Sequence, residues 1–191
     1  MNKDTIEYKN IYYPPGGILL WIIITLELLT FGMALVALVY FSKSDPKLFH
    51  SSRLLLNTNL GITNTIVLMT SGFFMTVATN YFKKKDFFKV KLYLNLVLLS
   101  GSLFCILKGF EFYHKISVGL TLNTNVFFSF YWLLTGFHFI HVIVGLFIIG
   151  FLLRGNKKNV LLHEDFEGGA AFWHMCDLIW LIVFPVIYLI F

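Results

Sequence analysis

A carboxylate placed in hydrocarbon costs about 3 kcal/mol on insertion scales and more in simulation, so it must face protein or water. Glu27 is such a group, set in the apolar run ILLWIIITLELLTFG with no residue of its own helix able to neutralise it. It reads as a structural hydrogen-bonding group or as a proton-related group beside a neighbouring subunit. In AFWHMCDLIWLIVFPVIYL, Trp173, Asp177, Trp180 and Phe184 fall on one helical face, and His174 stands three residues before Asp177, within reach of an ion pair. In FYWLLTGFHFIHVIVGLF, Leu134, His138, His141 and Gly145 form one stripe. Two histidines at i and i+3, with His174, invite a haem or copper site. Interior histidines of membrane bundles also serve as hydrogen-bond partners, and that reading is preferred. Lys108 and Glu111, three residues apart, are expected to pair near the interface, their long stems snorkelling toward water.

These groups need scaffolding, and the composition says which kind. With 58% hydrophobic and 13% charged residues, 191 residues carry more apolar surface than one soluble core can hide. A bilayer core takes roughly 20 apolar residues per helix, and five stretches qualify: 18–40, 56–80, 92–113, 126–153 and 170–190. The runs are continuous rather than alternating, which favours helices over a barrel. The expected fold is an all-α integral membrane bundle of five transmembrane helices, one membrane domain over 1–191. The first span is expected to be retained, since MNKDTIEYKNIYYPPGG lacks a small-residue cleavage site. Pro14, Pro15, Gly16 and Gly17 punctuate its start, and SKSDPKLFHSSR reads as a polar loop after it.

Within the second span, Thr63, Thr70 and Ser71 can bond back to their own helix, whereas Asn57 and Asn64, one heptad apart, call for a neighbouring helix or subunit. That span is therefore expected to be interior. Gly101, Cys105 and Gly109 form a small-residue stripe suited to close helix packing. Cys105 and Cys176 lie in different predicted spans and read as packing residues rather than a disulfide or zinc site.

A net charge of +5 raises the question of nucleic acid, but topology accounts for it. With the amino terminus inside, inner segments hold Lys3, Lys9, Lys83, Lys84, Lys85, Lys89, Lys91, Arg154, Lys157 and Lys158, against Lys43, Lys47, Arg53 and Lys115 outside. Ten against four sets the amino terminus in the cytoplasm and the carboxyl terminus on the periplasmic side. No nucleic-acid partner is expected. FKKKDFFKVK reads first as an orientation signal, with contact to anionic headgroups second.

FEGGAAFWHMCDLIWLIVFPVIY resembles the last helix of subunit III of haem-copper oxidases, the respiratory cytochrome c and quinol oxidases, with Glu167, Trp173, His174, Asp177, Trp180 and Tyr188 matching. LTGFHFIHVIVG is similar to that family's Gly-Phe-His helix at Gly136, Phe137, His138, His141 and Gly145. Glu27 falls where the family has a buried helix carboxylate, Asn57-Thr58 fits its Asn-Thr at a helix start, and Glu111 fits its Glu-Tyr pair. Departures are Phe112 in place of Tyr, Lys108 where Gln is common, and Phe139 between the histidines. Five spans resemble the short bacterial form, which lacks the first two of seven helices.

The resemblance implies a metal-free accessory subunit of an oxidoreductase complex, with no catalytic residues of its own and haem and copper in partner subunits. It implies packing beside oxidase subunit I and other oxidase subunits, phospholipid binding, support of proton uptake and a place in the bacterial cytoplasmic membrane. Asn57, Asn64, His138, His141, His174 and Asp177 are then interior polar fixtures, Glu111, Trp173 and Trp180 lipid or subunit contacts, and Glu27 the one proton-related candidate. Pro185 in FPVIY resembles a paralogous branch associated with nitric oxide reductases. Two rivals remain: a haem-bearing anchor using His138 or His141 with His174, and a proton-linked transporter using Glu27 and Asp177.

Overall fold

The computed structural model describes residues 16–155 and 163–191 in full and 156–158 as backbone. The expectations placed on Lys3, Lys9, Pro14, Pro15, Lys157 and Lys158 lie outside the fully described residues. Six helices follow in order: α1 Ile18–Ser42, α2 Pro46–Leu54, α3 Thr58–Lys83, α4 Phe87–Ser117, α5 Val126–Lys158 and α6 His163–Tyr188. All but α2 are long and apolar enough to cross a membrane. This is a multi-pass membrane bundle, as the hydropathy predicts; α4 and α5 run about one turn past an expected end, α6 starts seven residues before its expected start, and the other limits agree within three residues.

The expected loop after the first span is instead the short helix α2. Asp45 caps it, its carboxylate accepting from the Leu48 N–H at 3.1 Å, and Pro46 occupies the first turn, where no N–H is needed. Asn57 and Asp86 cap α3 and α4 in the same way, accepting from the N–H groups of Leu60 at 3.2 Å and Lys89 at 3.2 Å. At the far end of α4, Gly119 turns left-handed at φ 79°, so that Leu120 donates to the Lys115 carbonyl at 2.9 Å and closes the helix.

The most extensive packing joins α3 to α4, with α6 laid against α3 and α5, α1 against α5 and α6, and α2 against α5. Half of the apolar window of α6 is buried (50%), against 39% for α3 and 22% for α1. The expectation of an interior second span is therefore met only in part: α6 is the central helix, and α3 lies next to it. Its Trp173 explains two glycines. A Cβ on Gly101 of α4 would stand 2.7 Å from the Trp173 ring, and one on Gly145 of α5 2.8 Å from it, so the indole fills a slot only glycine leaves open. Gly109, the other end of the predicted stripe, has nothing within 4 Å of a Cβ and faces outward.

Candidate functional site

Three polar groups lie along the bundle. Glu27 of α1 meets His141 of α5, with Oε2 3.4 Å from Nε2 and side chains 22% and 13% exposed. His141 Nδ1 lies 2.8 Å from the Phe137 carbonyl, which can only accept, so Nδ1 carries a proton. An aligned bond between Nε2 and the Glu27 carboxyl therefore needs one proton, held by either partner. Phe31 and Phe137 close over the histidine at centroid distances of 6.0 and 4.6 Å. The polar neighbour that α1 lacks is thus supplied by another helix.

The second group pairs His174 with Asp177 on α6 at 3.5 Å, as the spacing predicts. Thr76 Oγ1 lies 3.5 Å from His174 Nε2. Asp177 packs so closely on Gly72 of α3 that a Cβ there would run into the carboxylate. His174 is 42% exposed at its side chain and stands at the bundle's edge rather than inside it.

The third group departs most from expectation. Lys108 and Glu111 are paired at 3.0 Å but are buried at 0% and 3% exposure, not snorkelling at a wet interface. Tyr188 of α6 donates to Glu111 Oε1 at 2.6 Å and Tyr131 of α5 donates to it at 2.9 Å. Lys108 donates to the Tyr188 hydroxyl at 2.6 Å and stands about 5 Å from four aromatic rings. Tyr131 and Tyr188 supply what snorkelling would otherwise seek from water. They come from distant segments, so spacing around Lys108 gave no sign of them; their hydroxyls in the apolar stretches FFSFYWLL and FPVIYLIF were the available signal.

The remaining predicted positions divide. Asn64 and His138 are fully buried, but neither the Asn64 amide nor the His138 ring nitrogens find a hydrogen bond within the chain. His138 instead stacks on Trp180 at 5.1 Å and meets the Phe104 edge at 5.9 Å, so it packs as an aromatic ring. Asn57 is exposed and serves as the cap of α3 rather than an interior fixture. Glu111, Trp173 and Trp180, expected at a lipid or subunit surface, are at 3%, 0% and 1% exposure and touch this chain's own helices. Trp180 donates to Thr65 Oγ1 at 3.0 Å. Thr63 and Thr70 bond back within α3, whereas Ser71 crosses to the Val97 carbonyl of α4 at 3.4 Å.

His138, His141 and His174 do not form one ligand set: His141 lies against Glu27, His174 against Asp177, and His138 stacks on Trp180, although His138 and His141 both meet the Phe31 ring. Among the described residues, no three His, Cys, Asp or Glu side chains are grouped to hold a metal ion. The fold and these clusters define a membrane bundle whose polar side chains mostly engage one another across its helices rather than lining one reactive pocket. The family model for cytochrome c oxidase subunit III matches residues 18–190. A probable cytochrome c oxidase subunit 3 of Nocardia farcinica is 30% identical over 138 residues, 71% of this chain and 68% of that protein. The cytochrome bo(3) ubiquinol oxidase subunit 3 of Buchnera aphidicola is 33% identical over 135 residues, 69% of each chain. A haem-copper oxidase subunit I+III of Aeropyrum pernix is 26% identical over 189 residues, 90% of this chain and 22% of that one. The chain belongs to the cytochrome c oxidase subunit III family. It is subunit III of a haem-copper oxidase, part of an oxidoreductase complex and associated with other oxidase subunits.

Proposed function

We propose that this chain is a non-catalytic, metal-free subunit that stabilises the oxidase's catalytic subunit I in a bacterial cytoplasmic membrane, with its amino terminus in the cytoplasm and its carboxyl terminus in the periplasm. The observation that carries this reading is that the ionisable interior groups face one another pairwise rather than a common centre: Glu111 is held by Lys108, Tyr131 and Tyr188, Glu27 lies against His141, and Asp177 against His174. A single chain named for subunits I and III supports subunit I as the neighbour, since fusion keeps the two parts side by side. The apolar outer faces of α1, including Leu26, Leu29, Met33 and Val36, provide surface for subunit I and for phospholipid.

On this reading, support of proton uptake by the complex falls to Glu27 among these groups. Its pair with His141 has a place for one proton, and its side chain is the more exposed of the two. Affinity purification through a tag on this chain in mild detergent tests the proposal. Subunit I and its haems should co-purify in fixed ratio, and a tagged chain recovered alone contradicts the assignment.

A further inference from the structure

Polar groups in the spans are mostly covered by this chain or bonded back to their own helix. Glu27 and His141 are 22% and 13% exposed at their side chains, and the outward hydroxyls of Thr25, Thr30, Thr63 and Thr70 donate to carbonyls four residues earlier. His174 departs from this pattern. Its side chain is 42% exposed, and among the described residues its ring nitrogens meet only Asp177 and Thr76, each at 3.5 Å, the outer limit of a hydrogen bond. His174 lies within about 3 Å of the middle of α6, and Gly72, on which Asp177 packs, equally close to the middle of α3. The exposed imidazole therefore stands near the bilayer midplane, where lipid offers no hydrogen bond and a polar side chain faces protein or water.

The protons of this group can be placed. Thr76 gives its hydroxyl hydrogen to the Gly72 carbonyl at 3.1 Å, so toward His174 it can only accept, and Nε2 carries a proton. Nδ1 and Asp177 Oδ2 share a second proton, and the His174–Asp177 pair is neutral overall. What it presents outward is one N–H donor held only by a long contact.

The surface around that donor suits a helix. α6 lies between α1, which it meets where Gly168 approaches Gly16, and α3, which it meets at Gly72. Along the outer side of α6, His174, Leu178 and Leu181 follow at steps of four and three residues; along α3, Thr76, Phe73 and Met69 do so at three and four. These steps keep each trio on one helical face, and the His174–Thr76 contact joins the two faces. Leu178, Leu181, Phe73 and Met69 are 46%, 40%, 63% and 52% exposed. Acyl chains could cover the apolar part but would leave Nε2–H unpaired, whereas a helix carrying one acceptor satisfies both.

We propose that this α3–α6 face seats a transmembrane helix of another oxidase subunit, whose side-chain oxygen accepts from His174 Nε2–H. It deepens the reading of the chain as an oxidase subunit, on which it rests, by naming the face and the hydrogen bond.

The test uses the intact oxidase complex purified through a tag on subunit I. Benzoylphenylalanine in place of Leu178 or of Phe73 should cross-link on illumination to one transmembrane segment of another oxidase subunit, identified by mass spectrometry as carrying a carboxylate, amide or hydroxyl at the linked level. These two complexes keep His174, so the result does not depend on how its variants fold. His174→Leu should raise the share of complexes that lose this chain in detergent about threefold to tenfold, as removal of one interhelical hydrogen bond requires. His174→Gln, whose amide can donate from nearly the same place, should hold that share near the wild-type value. Cross-links to lipid alone, to a second copy of this chain or to a segment without an acceptor overturn the proposal. So does loss of His174→Gln equal to that of His174→Leu, or retention of His174→Leu equal to wild type. Absence of this chain from the wild-type complex would instead overturn its assignment as an oxidase subunit.

Discussion

Removing either member of the buried ion pair should destabilise the protein, and the two removals should differ in a direction set by Lys115. Breaking a buried pair by deleting one partner costs about 3–5 kcal/mol. In Lys108→Met, Glu111 keeps hydrogen bonds from Tyr131 at 2.9 Å and Tyr188 at 2.6 Å, and the Lys115 ammonium lies one turn away. The buried charges then balance, so the loss should fall near the low end, about 3 kcal/mol. In Glu111→Gln, two ammonium groups remain at 0% and 4% exposure with no carboxylate between them. That loss should approach about 5 kcal/mol. The double variant leaves only Lys115 charged and should be milder than the sum of the singles by about 2 kcal/mol or more, as for residues in contact. Unfolding by dodecyl sulfate in mixed micelles, followed through tryptophan fluorescence, measures all three. A Lys108→Met loss below about 1 kcal/mol, or a milder effect for Glu111→Gln than for Lys108→Met, would refute the charge argument.

Glycine substitutions give a contrast in the same unfolding assay. Gly101→Ala drives a Cβ to 2.7 Å from the Trp173 ring and should cost about 1–3 kcal/mol, whereas Gly109→Ala meets nothing and should be neutral or stabilising by up to about 1 kcal/mol. Thr65→Val removes the acceptor of the Trp180 N–H, 3.0 Å away and partly buried, and should cost about 1–2 kcal/mol. Glu27→Gln should slow proton uptake by the assembled oxidase; uptake at the wild-type rate leaves the His141 pair a purely structural contact. Single cysteines placed at Ser42 and Lys84 should label from opposite sides of the membrane, Lys84 from the cytoplasm, in sealed cells and inverted vesicles.

The spans were legible because lipid imposes one rule on every residue of a helix, and hydropathy reads that rule directly. The His174–Asp177 pair was legible for the same local reason, three residues on one helix. Helix α2 was overlooked although Asp45-Pro46 carries a start signal, because its nine residues fall far short of a span. The partners of Glu27 and Glu111 were not legible: His141 is 114 residues from Glu27, and Tyr188 is 77 from Glu111. Neither separation has a period. Asn57 misled because the same amide that satisfies a neighbouring helix in lipid also caps a helix start, and only the bundle's geometry separates the two roles. Trp173 and Trp180 read as surface contacts because an indole suits either site; the openings at Gly101 and Gly145 decide for the interior.

On the proposed reading, this chain supports a haem-copper enzyme without carrying a redox centre. The most direct test is the visible spectrum of the purified complex and of this subunit after its separation from the others. Haem bands in the complex, this chain in fixed ratio to subunit I, and no Soret absorption from the separated subunit are expected. A Soret band that stays with the separated chain would contradict it and would restore His138, His141 or His174 as haem ligands.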